Sequence, residues 1–113
     1  MVQYGFHHEN LDCYRLAVEV ALWVAKAPFG PGFTALRDQG IRASQSVVLN
    51  IAEGCARGGG AERNHFRIAQ GSAAETCAVL DLFPASQGVN REALQEQQQK
   101  LRRIGAMLHR LAR

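Results

Sequence analysis

Backbone breakers gather in three places along this chain. Residues 27–33 include Pro28, Gly30, Pro31 and Gly32, Gly58 to Gly60 form an unbroken run, and residues 84–90 include Pro84, Ser86, Gly88 and Asn90. Proline removes an amide donor and clashes with the preceding turn, and glycine carries the largest backbone entropy cost, so helices end where these residues crowd. The segments between the breaks are rich in Ala, Leu, Glu, Gln and Arg, all strong helix formers. None shows the two-residue alternation of a half-buried strand. Four helices are therefore predicted, and the fold class is all-α.

The first helix is predicted over residues 10–26, capped by Asn10 with Asp12 in its first turn. Leu11, Tyr14, Val18, Ala21, Leu22 and Ala25 recur at spacings of three and four and make its apolar stripe. The second spans residues 35–56, with Thr34 as cap. Ser44, Val47, Val48, Ile51 and Cys55 share its inner face, whereas Arg42, Ser46, Leu49, Glu53 and Arg57 lie opposite. Glu53 precedes Arg57 by four residues, the favourable order for a surface pair, and Leu49 is an apolar residue on a polar face that hints at a subunit contact. The third helix covers residues 61–83, with Phe66, Ala69, Ala73, Cys77 and Leu80 inside. Its Gly71 implies close packing of a neighbour, since a mid-helix glycine otherwise costs about 1 kcal/mol. The fourth spans residues 91–111 behind an Asn90 cap. Leu94, Leu101 and Leu108 repeat every seven residues, and Gln97, Ile104 and Leu111 follow in the second seam position.

Short connections and one apolar stripe per helix predict an antiparallel up-down four-helix bundle, one domain over residues 1–113. A chain this long buries a core without staples. Cys13, Cys55 and Cys77 are odd in number, lack metal or redox spacing, and fit helices as small buried hydrophobes; a reducing cytoplasm is the expected compartment. Residues 1–10 have no apolar run and include His7 and His8, unlike a signal segment, and no window is apolar enough to span a membrane.

Catalytic signals are poor, and a non-enzymatic protein without metal or cofactor is expected. Gly58–Gly60 has no following Gly-Lys-Ser/Thr and no preceding strand, so an interhelical turn fits it better than a phosphate loop, although a helix start could still receive a phosphate. His7, His8, His65 and His109 form no repeated ligand pattern; Glu62 and His65 have the Glu-x-x-His spacing of a di-iron bundle, but once only. Glu53 and Glu75 are interior-helix acids that could be buried between helices as hydrogen-bond acceptors.

Basic residues are the stronger lead. The net charge is +3, and from Lys100 onward come Arg102, Arg103, Arg110 and Arg113 without an acid. Arg37, Arg42, Arg57, Arg63 and Arg67 lie on or beside helices two and three. Arg42, Arg57, Arg63, Arg67, Lys100, Arg102, Arg103, Arg110 and Arg113 are thus the candidate nucleic-acid-binding residues, through phosphate contacts that orient but do not read sequence. No aromatic platform lies among them, so RNA or DNA would be held in a salt-sensitive, sequence-blind way. Two plainer alternatives are a solvated helix face and a basic surface for an acidic protein.

The segment from Leu36 to Gly54 resembles a family of bacterial four-helix bundle proteins first noted as reading frames in 23S rRNA intervening sequences. Asn50, Ile51, Ala52, Glu53 and Gly54 match its Asn-Ile-Ala-Glu-Gly element. Gly71, Ser72, Ala73, Ala74 and Glu75 match a second element, and Leu11 with Tyr14 matches the opening one. The family includes the accessory variability determinant of diversity-generating retroelements, a basic, barrel-shaped pentamer that binds a reverse transcriptase and nucleic acid. The resemblance thus implies a homo-oligomer, pentameric in that relative, with no known catalytic activity. Val48 stands where the family carries proline, so helix two should be straighter or start earlier; Gly40 and Ile41 stand for the usual Ile-Arg, which removes one positive charge. Asn50, Glu53, Ser72 and Glu75 are expected in packing and polar networks between helices.

Overall fold

A computed structural model describes residues 5–84 and 88–113. Residues 1–4, part of the segment read above as unlike a signal, and Ser86 of the third break lie outside the described residues. A 3₁₀ turn, His7–Asn10, precedes α1 (Asp12–Lys26), α2 (Thr34–Arg57), α3 (Gly59–Asp81) and α4 (Arg91–Leu111), and no strand occurs among the described residues. Each helix packs on its sequence neighbours, and α1 closes on α4. The diagonal pairs make no close backbone contact, which is the ring of an up-down antiparallel bundle.

Helix α4 follows its sequence pattern closely. Asn90 caps it by accepting a hydrogen bond from the Glu92 amide at 2.8 Å, and Leu101, Ile104 and Leu108 are buried. Leu111 is instead 42% exposed, because Ala112 takes the last buried place. Gln97 is buried, and its side-chain carbonyl oxygen has no hydrogen-bond partner among the described residues.

Helix α1 is rotated from the expected stripe. Cys13, Ala17, Val20 and Val24 are buried, while Leu22 is 58% exposed and Ala25 faces solvent. So many α1 residues are apolar that several faces share the helical period; packing selects the one with Cys13 and Ala17, whose small side chains let neighbours come close. Asn10 ends the 3₁₀ turn, so Leu11 holds the cap position of α1 without a side-chain bond. Thr34 likewise begins α2 as a helical residue, one position before the expected start, behind Phe33.

The pairing of α2 with α3 is the tightest seam. Helix α2 ends at Arg57 and α3 begins at Gly59, so Gly58 alone reverses the chain. Gly58 and Gly59 have φ of 72° and 62°, a left-handed pair that residues with a Cβ resist. The glycine run is therefore a one-residue joint, with Gly59 and Gly60 already in the helix. Farther along, a Cβ on Gly54 would lie 3.0 Å from the Phe66 ring, and one on Gly40 would lie 3.0 Å from Val79. These two glycines, four turns apart, let α3 settle against α2 at both ends. Gly71 does not serve this purpose: nothing lies within 4 Å of where its Cβ would be, and it is exposed.

The breaker stretch after α1 also contributes to the core. Ala27 and Phe29 are buried with Val79 and Phe83, and the Phe29 and Phe83 rings tilt together with centroids 4.7 Å apart. Trp23 approaches Phe83 at 6.3 Å, so aromatic rings close one end of the bundle.

Two substitutions should move stability in opposite directions. Gly54→Val drives methyl groups into the Phe66 ring and should cost about 1–3 kcal/mol. Gln97→Leu replaces an unpartnered buried amide with a side chain of similar size and should gain about 1–2 kcal/mol. Urea unfolding followed by circular dichroism measures both.

Candidate nucleic-acid interface

The nine candidate cations divide by helix edge and by whether an acid holds them. Arg57 Nε lies 3.4 Å from Glu53 Oε2, the surface pair expected from their spacing. Lys100 Nζ lies 3.0 Å from Glu19 Oε1 on α1. Arg42, Arg63, Arg67, Arg102, Arg103, Arg110 and Arg113 have no acid partner among the described residues and are exposed. Two of these make neutral bonds: Arg67 Nη2 donates to the Ala112 carbonyl at 3.2 Å, and Arg102 Nη1 donates to Gln99 Oε1 at 3.1 Å. Arg37 bonds the Ala25 carbonyl at 3.4 Å, with Asp38 at 3.9 Å.

Helix α4 splits the run of cations that looked like one cluster in sequence. Lys100 turns to α1 through Glu19, and Arg110 lies beside Leu11 and Cys13 of α1. Arg103, between them at helical spacing, belongs to that same side. Arg102 instead borders a groove with Cys77 and Ala78 of α3, and Arg67 ties the start of α3 to the end of α4. His109 follows Gly105 at a four-residue step along that α3-facing edge, and Arg113 lies just past the helix end, next in the chain to the Ala112 carbonyl that Arg67 holds.

Between α2 and α3 runs a chain of polar side chains. The His65 Nδ1 and Asn50 Oδ1 atoms are 2.9 Å apart, and Asn50 Nδ2 donates to the Ser46 carbonyl at 2.9 Å and to Ser46 Oγ at 3.0 Å. Ser46 Oγ meets Ser72 Oγ at 2.8 Å. Since the Asn50 amide nitrogen is spent on Ser46, its oxygen accepts, and His65 donates from Nδ1. Asn50 and Ser72 thus serve the interhelical network expected of them, and His65 joins it although it looked like an isolated polar residue. Neither acid is buried as expected, and of the two only Glu75 joins a polar contact between helices. Glu53 and Glu75 are exposed, Glu53 paired along its own helix and Glu75 accepting from Gln39 across to α2 at 3.3 Å. Their positions on the outer side of the seam leave them in water, where a carboxylate is cheapest to keep charged.

Among the described residues no three His, Cys, Asp or Glu side chains gather as a ligand set around Glu62 and His65 or elsewhere. No described helix is long and apolar enough to cross a membrane. The cysteines are free; Cys13 is buried, whereas Cys55 and Cys77 are half-buried. Burial pushes the Cys55 thiol up to about 11, with the Glu62 carboxylate adding to the effect. Burial also raises Cys13 and Cys77, the latter against the opposing pull of Arg102.

The family model described as 23S rRNA-intervening sequence protein matches residues 9–110, which reach into all four helices. No curated protein matches the chain.

The raised thiols predict slow alkylation near neutral pH. Raised from an ordinary value of 9.0 to about 11, Cys55 holds roughly 100-fold less thiolate near neutral pH than an unperturbed cysteine. Its reaction with iodoacetamide should accelerate as the pH climbs toward 11. Fast labelling of the native protein at neutral pH, read by mass spectrometry, would contradict this.

Proposed function

We propose that this chain, which belongs to the 23S rRNA-intervening sequence protein family, is a non-enzymatic, self-associating adaptor that holds nucleic acid by its phosphate backbone. The observation that carries the reading is the set of exposed arginines without acid partners where α3 meets α4, Arg63, Arg67, Arg102 and Arg113. A guanidinium not already neutralised releases a phosphate counterion when it binds, and that release supplies most sequence-independent affinity. Three of the groups that could have served catalysis have other partners: Glu53 offsets Arg57, Glu75 accepts from Gln39, and His65 bonds Asn50.

Self-association is supported by an open apolar cleft beside the 3₁₀ turn. Phe6 is 72% exposed and Leu49 65% exposed, and they share this cleft with Ala52 and Ala56. Exposed apolar residues that cluster mark contact surfaces more often than single ones do. The pentamer and the reverse-transcriptase partner implied by the sequence resemblance, and a cytoplasmic setting, belong to this proposal.

Binding to an RNA duplex and a DNA duplex of equal length across a salt series tests the reading. The logarithm of the association constant should fall by about 0.9 for each phosphate contacted per tenfold rise in salt, so a slope near −4 corresponds to about four contacts. No binding at low salt would leave a protein-interaction bundle whose basic face meets an acidic partner. Light scattering should show an assembly that Leu49→Glu dissociates, and a stable wild-type monomer at micromolar concentration would contradict self-association.

A further inference from the structure

The charge on this bundle is segregated, and the segregation marks one face. Along the α4 side of α3 stand Arg63 and Arg67, located there by the Arg67 bond to the Ala112 carbonyl and by Gln70, which lines the α3–α4 groove. Along the α3 side of α4 stand Arg102 and, by helical spacing, His109, and Arg113 follows Ala112, whose carbonyl Arg67 holds. Asp81 is the one acid bordering this groove among the described residues, and its carboxylate accepts a hydrogen bond from Gln98 Nε2 at 2.7 Å. None of the chain's other acids lines the groove: Glu19 lies against Lys100, Glu53 against Arg57, Asp12 against Arg15, Asp38 beside Arg37, Glu62 close to Cys55, and Glu75 against Gln39, with Glu9, Glu92 and Glu96 also off it.

A groove of about 400 Å³ opens between α3 and α4, floored by Ala74, Cys77, Ala78, Leu101 and Gly105; Arg102 stands on its rim, and Arg67, held at Ala112, and Arg63 lie beyond its Gln70 end. Nothing lies within 4 Å of where a Cβ on Gly105 or Gly71 would be, so the surface is open down to the helix backbones. From Arg63 to the level of Cys77 is 14 helical steps, about 21 Å at 1.5 Å each. One strand of a duplex rises about 3.4 Å along the axis per phosphate, and its ridge winds around that axis, so fewer than about six phosphates fit over that length.

We propose that the α3–α4 groove seats the phosphate ridge of a nucleic-acid duplex, with Arg63, Arg67, Arg102 and Arg113 contacting successive phosphates and the small residues of the floor admitting the backbone between them. The inference rests on the adaptor reading and names the surface that performs it. An acidic protein helix is the competing occupant. Protein partners anchor through large side chains in deep, desolvated pockets; this floor carries Ala74, Ala78 and Gly105, and the cations continue from Arg102 on its rim past its end to Arg67 and Arg63. Apart from the His109 imidazole, the face carries no aromatic ring for stacking bases among the described residues, so it fits a paired duplex better than a splayed single strand. On this reading Arg103 and Arg110, turned toward α1, and Arg42 on α2 are bystanders.

Fluorescence anisotropy with a 20-base-pair RNA duplex and the matching DNA duplex tests the assignment. In Arg63→Gln with Arg102→Gln, neither side chain bridges helices, so the fold is kept; affinity should fall by about tenfold or more and the salt slope should flatten by about 1.8, the share of two contacts. Arg42→Gln with Arg103→Gln removes the same charge and should leave the slope unchanged. Gly105→Leu keeps every charge, fills the groove, and should weaken binding with the melting temperature held or raised. Equal loss in the two charge pairs would overturn the assignment while leaving the adaptor reading intact, and so would unchanged binding in Gly105→Leu. Displacement of the duplex by polyglutamate at lower charge concentration than by competing duplex would move the groove to an acidic protein partner. Failure of the wild type to bind either duplex at low salt would overturn both the assignment and the adaptor reading.

Discussion

The close approach of α2 and α3 is the constraint on which the rest of the bundle depends. A single residue, Gly58, joins them, so the two helices leave their junction already side by side. Gly54 then admits Phe66 near the junction, and Gly40 admits Val79 four turns away. Between these contacts the Ser46–Ser72 and Asn50–His65 hydrogen bonds fix how far one helix can slide along the other. Once that hairpin is set, α3 turns its opposite edge to α4, and the positions of Arg63 and Arg67 follow. Neighbouring polar groups with satisfied partners specify register more sharply than apolar contacts do, because a shifted register leaves them unpaired.

The same geometry explains a division of labour among charges. In sequence the arginines after Lys100 form one basic block. A helix distributes consecutive residues around its axis, so folding sends Lys100 and Arg110 toward α1 and Arg102 toward α3. Glu19 neutralises the first of these, whereas the α3–α4 edge meets almost no acid. A modest net charge of +3 is thereby concentrated on one surface. Local field and not the total decides whether a protein attracts a polyanion.

Much of the fold could be read from the chain alone, and the parts that could not have identifiable causes. Helix α4 was legible because its apolar residues occupy a single heptad seam and Asn90 is a strong cap. Helix α1 was not, since Leu16, Val18, Ala21, Leu22 and Trp23 surround the face that is buried and only tertiary packing chooses among rotations. Phe29 and Ala27 were hidden by the prolines and glycines beside them, which mark a loop without revealing that it folds back onto the core. Gly71 and Gly40 exchanged roles for a similar reason: sequence shows that a helix carries a glycine, whereas the neighbour that requires it is seen only in three dimensions. For the candidate site, the residue types were legible and the grouping was not, because which arginines meet across α3 and α4 depends on the register set by α2.

The nucleic-acid face proposed for the bundle lies between α3 and α4. An NMR titration of isotope-labelled protein with a short RNA duplex, followed at individual backbone amides, reads that face residue by residue. The largest shifts are expected at Gly71, Ala74, Ala78 and Gly105, with Gly40 and Leu49 undisturbed. Shifts concentrated on α1 and α2, or none at saturating duplex, would contradict that placement.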